Sequence, residues 1–175
     1  YEYYLFHKPA GCVTATEDNL HRTVMDYLTD TARHDLFPVG RLDIDTEGLL
    51  LITNDGALAH DLLSPAKHVS KVYYAKIDGR VTEEDVNLFE NGVDIGEEKP
   101  TKPALLEVLH SGDNSEIKLT ITEGRFHQVK RMFEAVGKEV LYLKRLSMGA
   151  LVLDEKLQPG QCRNLTPEEI AQLKE

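Results

Sequence analysis

Positive charge is scarce in this chain. Its 20 Lys and Arg stand against 30 Asp and Glu, a formal net charge of -10 over 175 residues. That balance argues against nonspecific attraction to nucleic acid, which relies on a broad positive field. Cysteine is nearly absent too: Cys12 and Cys162 fall in no CxxC pattern, which speaks against a metal cluster and fits a reducing cytosol. Long apolar runs are missing. The longest aliphatic stretch, Leu49 to Ile52, falls far short of the roughly 20 residues that cross a bilayer, and no apolar signal segment opens the sequence. There are no repeats and no low-complexity linkers. One domain, or two intimate halves at roughly 1–78 and 79–175, is the expectation for this length. The first residue is Tyr1 rather than Met, so a trimmed chain with sequence upstream is expected.

What is present is an ordinary globular composition, 41% hydrophobic and 29% charged, patterned into short elements. Tyr3 to Phe6, Leu49 to Thr53 and Lys71 to Ile77 read as strands by their apolar and β-branched content. Thr23 to Leu28 and Ala57 to Leu63 read as short helices, the second stopped by Ser64-Pro65. Thr82 to Asp85 resembles a capping box, with a helix running on to about Phe89. Ala104 to Leu109 and Ile117 to Thr122 form a hairpin pattern, and the alternation of Ile117, Leu119 and Ile121 with polar residues leaves one face wet. Val129, Met132, Phe133 and Val136 fall at i, i+3, i+4 and i+7, one buried helix face, with Gly137 as its terminal cap. Glu139 to Leu143 and Ala150 to Leu153 are strand-like, and Thr166-Pro167-Glu168-Glu169 starts a last helix. Hairpins outnumber βαβ units, which favours α+β with an antiparallel or mixed sheet over a doubly wound parallel one.

Chemistry concentrates in Gly40-Arg41-Leu42-Asp43-Ile44-Asp45-Thr46-Glu47-Gly48. Three carboxylates here precede a buried strand, and a charged loop tied to a rigid strand is a good mount for a reactive group. Asp43-x-Asp45-x-Glu47-Gly48 mimics the start of a calcium loop. The mimicry ends at Leu51, where a polar residue belongs, and at Asn54, where a bidentate Glu belongs, so no metal is expected. A pair of these carboxylates cleaving a glycosidic bond is a second reading; the plainer one makes a single acid functional and lets the others hold the loop backbone by hydrogen bonds.

Charge is also unevenly spread. Seven acids and no base lie between Glu83 and Glu98, whereas six bases and two acids lie between Arg125 and Arg145. The acidic run reads as a solvated face. The basic run is interleaved with Phe126, His127 and Phe133 and sets polar groups at a helix N-terminus, which favours phosphate or carboxylate. Tyr73 and Tyr74 point to opposite sides of their strand, one into a core and the other open to stack on a base. Pattern does not choose between them.

Taken in order, Gly40-Arg41-Leu42-Asp43-x-Asp45-Thr46-Glu47-Gly48-Leu49-Leu50, then Lys71-x-Tyr73, then Gly124-Arg125-x-His127-Gln128-Val129-Lys130-Arg131-Met132 resemble the three core motifs of RNA pseudouridine synthases. The His-Gln-Val-Lys-Arg-Met pattern, with Thr101 to Ala104 upstream and Leu151 to Thr166 downstream, is most similar to the RsuA-type branch, which acts on small-subunit ribosomal RNA. The resemblance covers nearly the whole chain.

It implies an α+β, pseudouridine-synthase-like fold, a mixed, mainly antiparallel sheet with flanking helices bent around a central catalytic cleft, with the catalytic domain filling residues 1–175. It implies Asp43 as the essential aspartate, Tyr73 as the tyrosine that stacks on or deprotonates the uracil, and Lys130 as the base paired with the aspartate. Arg41, Lys71, Arg125, His127, Gln128, Arg131 and Arg145 are the implied RNA contacts. The reaction is isomerisation of a uridine in 16S ribosomal RNA, without a cofactor. The partner is ribosomal RNA or a small-subunit assembly intermediate, met in the cytoplasm by a monomer with no membrane attachment. A large-subunit (23S) substrate, a catalytically silent RNA-binding module and a uracil-releasing hydrolase are the rivals. The branch usually carries an S4-like RNA-binding domain ahead of the catalytic part. None lies in these 175 residues, so weak, salt-sensitive RNA binding is expected of this chain.

Overall fold

The apolar run Leu49 to Ile52 has to be covered on both faces, because successive side chains of a strand point to opposite sides. The computed structural model, which describes residues 1–28 and 35–175, buries all four of these side chains completely. The chain divides into two compact units, residues 1–69 with 145–175 and residues 70–144.

In the first unit, β1 (Tyr3–Lys8), the short β2 (Phe37–Pro38) and β3 (Glu47–Thr53) come in chain order, and α1 (Gly56–Leu63) follows β3. β1 lies antiparallel to β3 with Leu5 opposite Leu51, and β2 pairs with the far end of β3. Tyr3, Leu5, Leu49 and Leu51 pack with Leu58 and Leu62 of α1 on one face. Phe6, Leu50 and Ile52 pack with Val24, Leu28 and Leu36 on the other. Each such buried aliphatic side chain contributes about 1.5–3 kcal/mol.

The second unit holds β4 (Lys71–Asp78), α2 (Glu83–Asn91), β5 (Leu105–His110), β6 (Asn114–Ile121) and α3 (Gln128–Ala135). β6 is antiparallel to both β4 and β5, with Leu119 facing Tyr73 on one side and Leu106 on the other. The alternation expected of this strand holds: Ser115, Ile117, Leu119 and Ile121 are buried and the residues between them are not. α3 buries Val129, Met132 and Phe133, and Phe133 meets Phe89 of α2 edge-on at 5.0 Å. Thr82 and Asp85 form the capping box of α2, with the Thr82 amide donating to Asp85 Oδ2 at 3.0 Å.

β7 (Glu139–Met148) runs out of the second unit into the first, past the expected end at Leu143. β8 (Leu151–Val152) folds back on it, with Leu151 opposite Met148. β9 (Cys162–Asn164) then pairs with β1, Leu5 opposite Arg163, and α4 (Pro167–Lys174) begins with the Thr166–Glu169 capping box that the sequence signals. This return explains why the units differ from a single cut near residue 78: the C-terminal segment completes the sheet begun by β1. The result is an α+β fold with a mainly antiparallel sheet and four helices among the described residues.

Gly48 marks where the loop becomes strand. Its φ of 114° is a left-handed value, and a β carbon would lie 2.6 Å from Arg145 N. Gly48→Ala is therefore expected to lower stability by roughly 3 kcal/mol, measured as the urea midpoint. Asp55 caps α1 through Leu58 N and accepts the Tyr3 hydroxyl at 2.5 Å. That hydroxyl holds the Asp55 carboxyl below its ordinary value of 3.8. A depressed carboxylate stabilises the fold fully above its unfolded pKa and loses that contribution as pH falls through the folded one. Asn also caps helices but does not titrate. Asp55→Asn should therefore lose less stability than the parent between about pH 6 and pH 3 in chemical denaturation.

Candidate functional site

The loop that carries Asp43 is held by the segment that follows β1. Thr14 Oγ1 donates to Leu42 O at 2.9 Å and accepts from Leu42 N at 3.1 Å, fixing the residue just before Asp43. Gly11 N donates to Ile44 O at 2.8 Å, fixing the residue just after it. Within the loop, Thr46 N donates to Asp43 O at 3.0 Å. Below it lies Lys8, whose side chain is completely buried. Its Nζ donates to Pro9 O at 3.0 Å, Ile44 O at 3.2 Å and Thr46 O at 2.7 Å. Three donors meet three carbonyls, the complement an ammonium needs when removed from water.

Burial pulls the Lys8 pKa below its ordinary value, and the charges of Cys12, Asp45, Glu47 and Asp43 push it back up. The loop's acids therefore favour the charged form of the buried ammonium. Asp43 and Glu47 are half-buried, whereas Arg41, Ile44 and Asp45 are exposed. Nothing in the pattern of the sequence marks Lys8 or Thr14 for this role. Lys8 reads there as the start of a turn. The only local hint is a Lys-Pro pair closing an apolar strand.

In the second unit, β4 turns the two tyrosines to opposite faces. Tyr73 is 8% exposed, on the covered face with Ala75 and Ile77. Tyr74 lies on the other face, its hydroxyl donating to Glu116 and its ring edge-on to Tyr142 at 6.1 Å. The Glu116 hydrogen bond, with burial, raises the Tyr74 pKa to about 12, so that phenol stays a donor. Lys71 is half-buried at the start of the same strand.

The N-terminal end of α3 is built by a polar frame. Arg125 Nη1 and Nη2 donate to Lys99 O at 2.6 Å and Pro100 O at 2.7 Å, while Nε donates to Glu123 Oε1 at 3.0 Å. Glu123 Oε2 accepts from Lys102 N at 2.6 Å and from Gln128 Nε2 at 3.1 Å. Gln128 Oε1 in turn accepts from Arg125 N at 3.1 Å. Arg131 donates to Glu97 Oε2 at 2.6 Å, Phe126 O at 2.8 Å and Ile95 O at 2.7 Å. Lys130, on the same helix, is half-buried.

These placements correct part of the expected RNA-contact set. Arg145 is 2% exposed and its Nε donates to Leu49 O at 3.0 Å, so it braces β3 instead of meeting solvent. Gln128 is 4% exposed and spent inside the frame. Arg125 and Arg131 direct their guanidinium groups at backbone carbonyls and at Glu123 and Glu97. Arg41 and His127 remain at the surface. Among the described residues no three His, Cys, Asp or Glu side chains gather so as to hold a metal ion, and no helix is long and apolar enough to cross a membrane.

Against this geometry the comparisons with known proteins are specific. The family profile described as RNA pseudouridylate synthase matches residues 2–135. An RNA pseudouridine synthase of Bacillus subtilis (strain 168) is 52% identical over 99% of this chain and 73% of its own length. The ribosomal small subunit pseudouridine synthase A of Salmonella typhimurium is 46% identical over 97% of this chain and 72% of its own. A crystal structure of a pseudouridylate synthase, 41% identical, superposes with a TM-score of 0.92 over 98% of this chain and 73% of that one.

The Lys8 clamp has a direct test. Lys8→Met keeps the bulk of the side chain but takes one donor from each of three carbonyls. A loss of roughly 2–4 kcal/mol is expected in chemical denaturation. The Gly11 and Thr46 amides should also exchange hydrogen faster, and an unchanged midpoint with unchanged exchange would show that the ammonium holds nothing.

Proposed function

Since the chain belongs to the RNA pseudouridylate synthase family, we propose that it isomerises a specific uridine of small-subunit ribosomal RNA to pseudouridine. The observation that carries the choice of substrate is the 46% identity, across 97% of the chain, to a relative named for the ribosomal small subunit. The reaction breaks the C1'–N1 bond, turns the uracil and rejoins it through C5. It needs no net oxidation or reduction. The target nucleotide has to leave its stack, which costs a few kcal/mol in paired RNA.

In this reading Asp43 is the reactive aspartate. The bonds that hold Leu42, Ile44 and Thr46 on either side of it support the role, because a catalytic group gains from a fixed backbone. Tyr73 is the tyrosine that meets the uracil ring, and Lys130 is the basic residue that serves the reaction. Arg41, Lys71 and His127 are the proposed RNA contacts, while Arg125, Gln128, Arg131 and Arg145 shape the protein that presents them. We place the reaction in the cytoplasm, on ribosomal RNA or an assembly intermediate, with a monomer as the working form.

Tritium release from small-subunit RNA transcribed with 5-tritiated uridine tests the proposal. Asp43→Asn should bring release to background while circular dichroism stays that of the parent. Full release by the variant would remove Asp43 from the mechanism. Mapping pseudouridines in small- and large-subunit RNA from cells with and without the protein tests the substrate, and a site lost only from the large subunit would overturn the choice.

A further inference from the structure

Phe126 is 74% exposed, the most exposed phenylalanine of the described residues, although it sits one residue from a helix with a buried face. It is not a loose side chain. Its ring stacks on that of His127, centroids 3.8 Å apart and planes 18° from parallel. Neighbouring residues in regular structure do not face one another. Here they do, and His127 has φ 49° and ψ 37°, in the left-handed region. Only His68 shares a positive φ among the described residues other than glycine. A conformation of that kind costs energy and persists only where its surroundings hold it. The surroundings do so: Arg131 Nη1 donates to Phe126 O at 2.8 Å, and His127 O accepts from Arg131 N at 3.0 Å.

We propose that the Phe126–His127 stack is a platform for an unpaired RNA base. This rests on the reading of the chain as an RNA-modifying enzyme. A uridine drawn out of its stack leaves its neighbours without a partner face. An aromatic face accepts any base and is worth about tenfold or more in affinity. The acids nearest the stack are compensated and leave no strong charge against a polyanion. The nearby acids Glu97 and Glu123 are matched by Arg131 at 2.6 Å and Arg125 at 3.0 Å. Lys71 Nζ stands 3.8 Å from where a β carbon on Gly124 would be, two residues before Phe126. An apolar protein partner would seek a wider apolar surface than one exposed ring. Phe126 is flanked by the exposed Gly124 and His127, with a polar frame beneath.

The test compares Phe126→Ala, Phe126→Leu and Phe126→Trp for filter binding to transcribed small-subunit ribosomal RNA and for pseudouridine formation. Alanine should weaken binding and raise KM about tenfold or more, with kcat within about twofold of the parent. Tryptophan should restore both, and leucine, apolar but without a π-face, should behave as alanine does. Melting curves should coincide, since the side chain is exposed. Leucine equal to the parent, or alanine without effect on binding, overturns the platform. The failures are separable. A parent chain that binds RNA in a Phe126-dependent way but forms no pseudouridine in either subunit's RNA refutes the enzymatic reading alone. A parent that forms pseudouridine with binding indifferent to Phe126 refutes the platform alone.

Discussion

A single buried ammonium organises the first unit. Lys8 ends β1 inside the protein, and its three donors are absorbed by the carbonyls of Pro9, Ile44 and Thr46. An unpaired buried charge would cost several kcal/mol, so the carbonyls have to stay where the ammonium needs them. That requirement runs in both directions. The turn after β1 and the Asp43 loop are fixed to one another because each supplies part of the same coordination shell. Thr14 and Gly11 extend the junction with bonds to Leu42 and Ile44. The strand that follows begins at Gly48, where close approach to Arg145 tolerates no β carbon. A loop of three acids that would repel itself in isolation is in this way given a backbone and a compensating charge.

The second unit solves a similar problem with guanidinium groups. The segment 95–102 has little apolar content and no regular structure, yet Arg125 and Arg131 pin it by its carbonyls at Ile95, Lys99 and Pro100. Planar forks suit this task, since each presents several donors in fixed directions. The acidic run from Glu83 to Glu98 also serves structure: Asp85 caps α2 and meets Lys138 at 3.1 Å, and Glu97 meets Arg131. Acids that read as a solvated face are in part the counterions of the basic helix.

How much of this was legible follows from the range of each interaction. Short-range signals carried well. The Leu49 to Ile52 run, the alternation through β6, the apolar face of α3 and the Thr166 cap all reappear as read, because each depends on neighbours within a few residues. Long-range pairings did not carry. No local pattern tells that Cys162–Asn164 returns to β1, that Arg145 turns inward to Leu49, or that Lys8 is buried under a loop 36 residues away. For the site, spacing alone left Asp43, Asp45 and Glu47 equivalent. The resemblance to a family separated them and singled out Tyr73, while the structure adds only that Tyr73 lies on the covered face of β4 and Tyr74 on the other.

Charge placement also bears on how an acidic chain handles a polyanion. Salt dependence of RNA binding grows with the number of phosphates neutralised, by roughly 0.7 in logarithmic slope for each in single strands. Arg125 and Arg131 direct their guanidinium donors at protein groups and Arg145 is buried against Leu49 O, so the bases of the 125–145 run overstate the ionic contacts on offer. With a net charge of -10, long-range attraction does not make up the difference. On the proposed reading, affinity then leans on short-range terms. Stacking on Phe126 and the capture of a displaced uridine are of that kind, since both are insensitive to screening and reward an unstacked base over a duplex. A protein of this charge would engage RNA slowly but discriminate by shape, which suits an enzyme that modifies one uridine among very many.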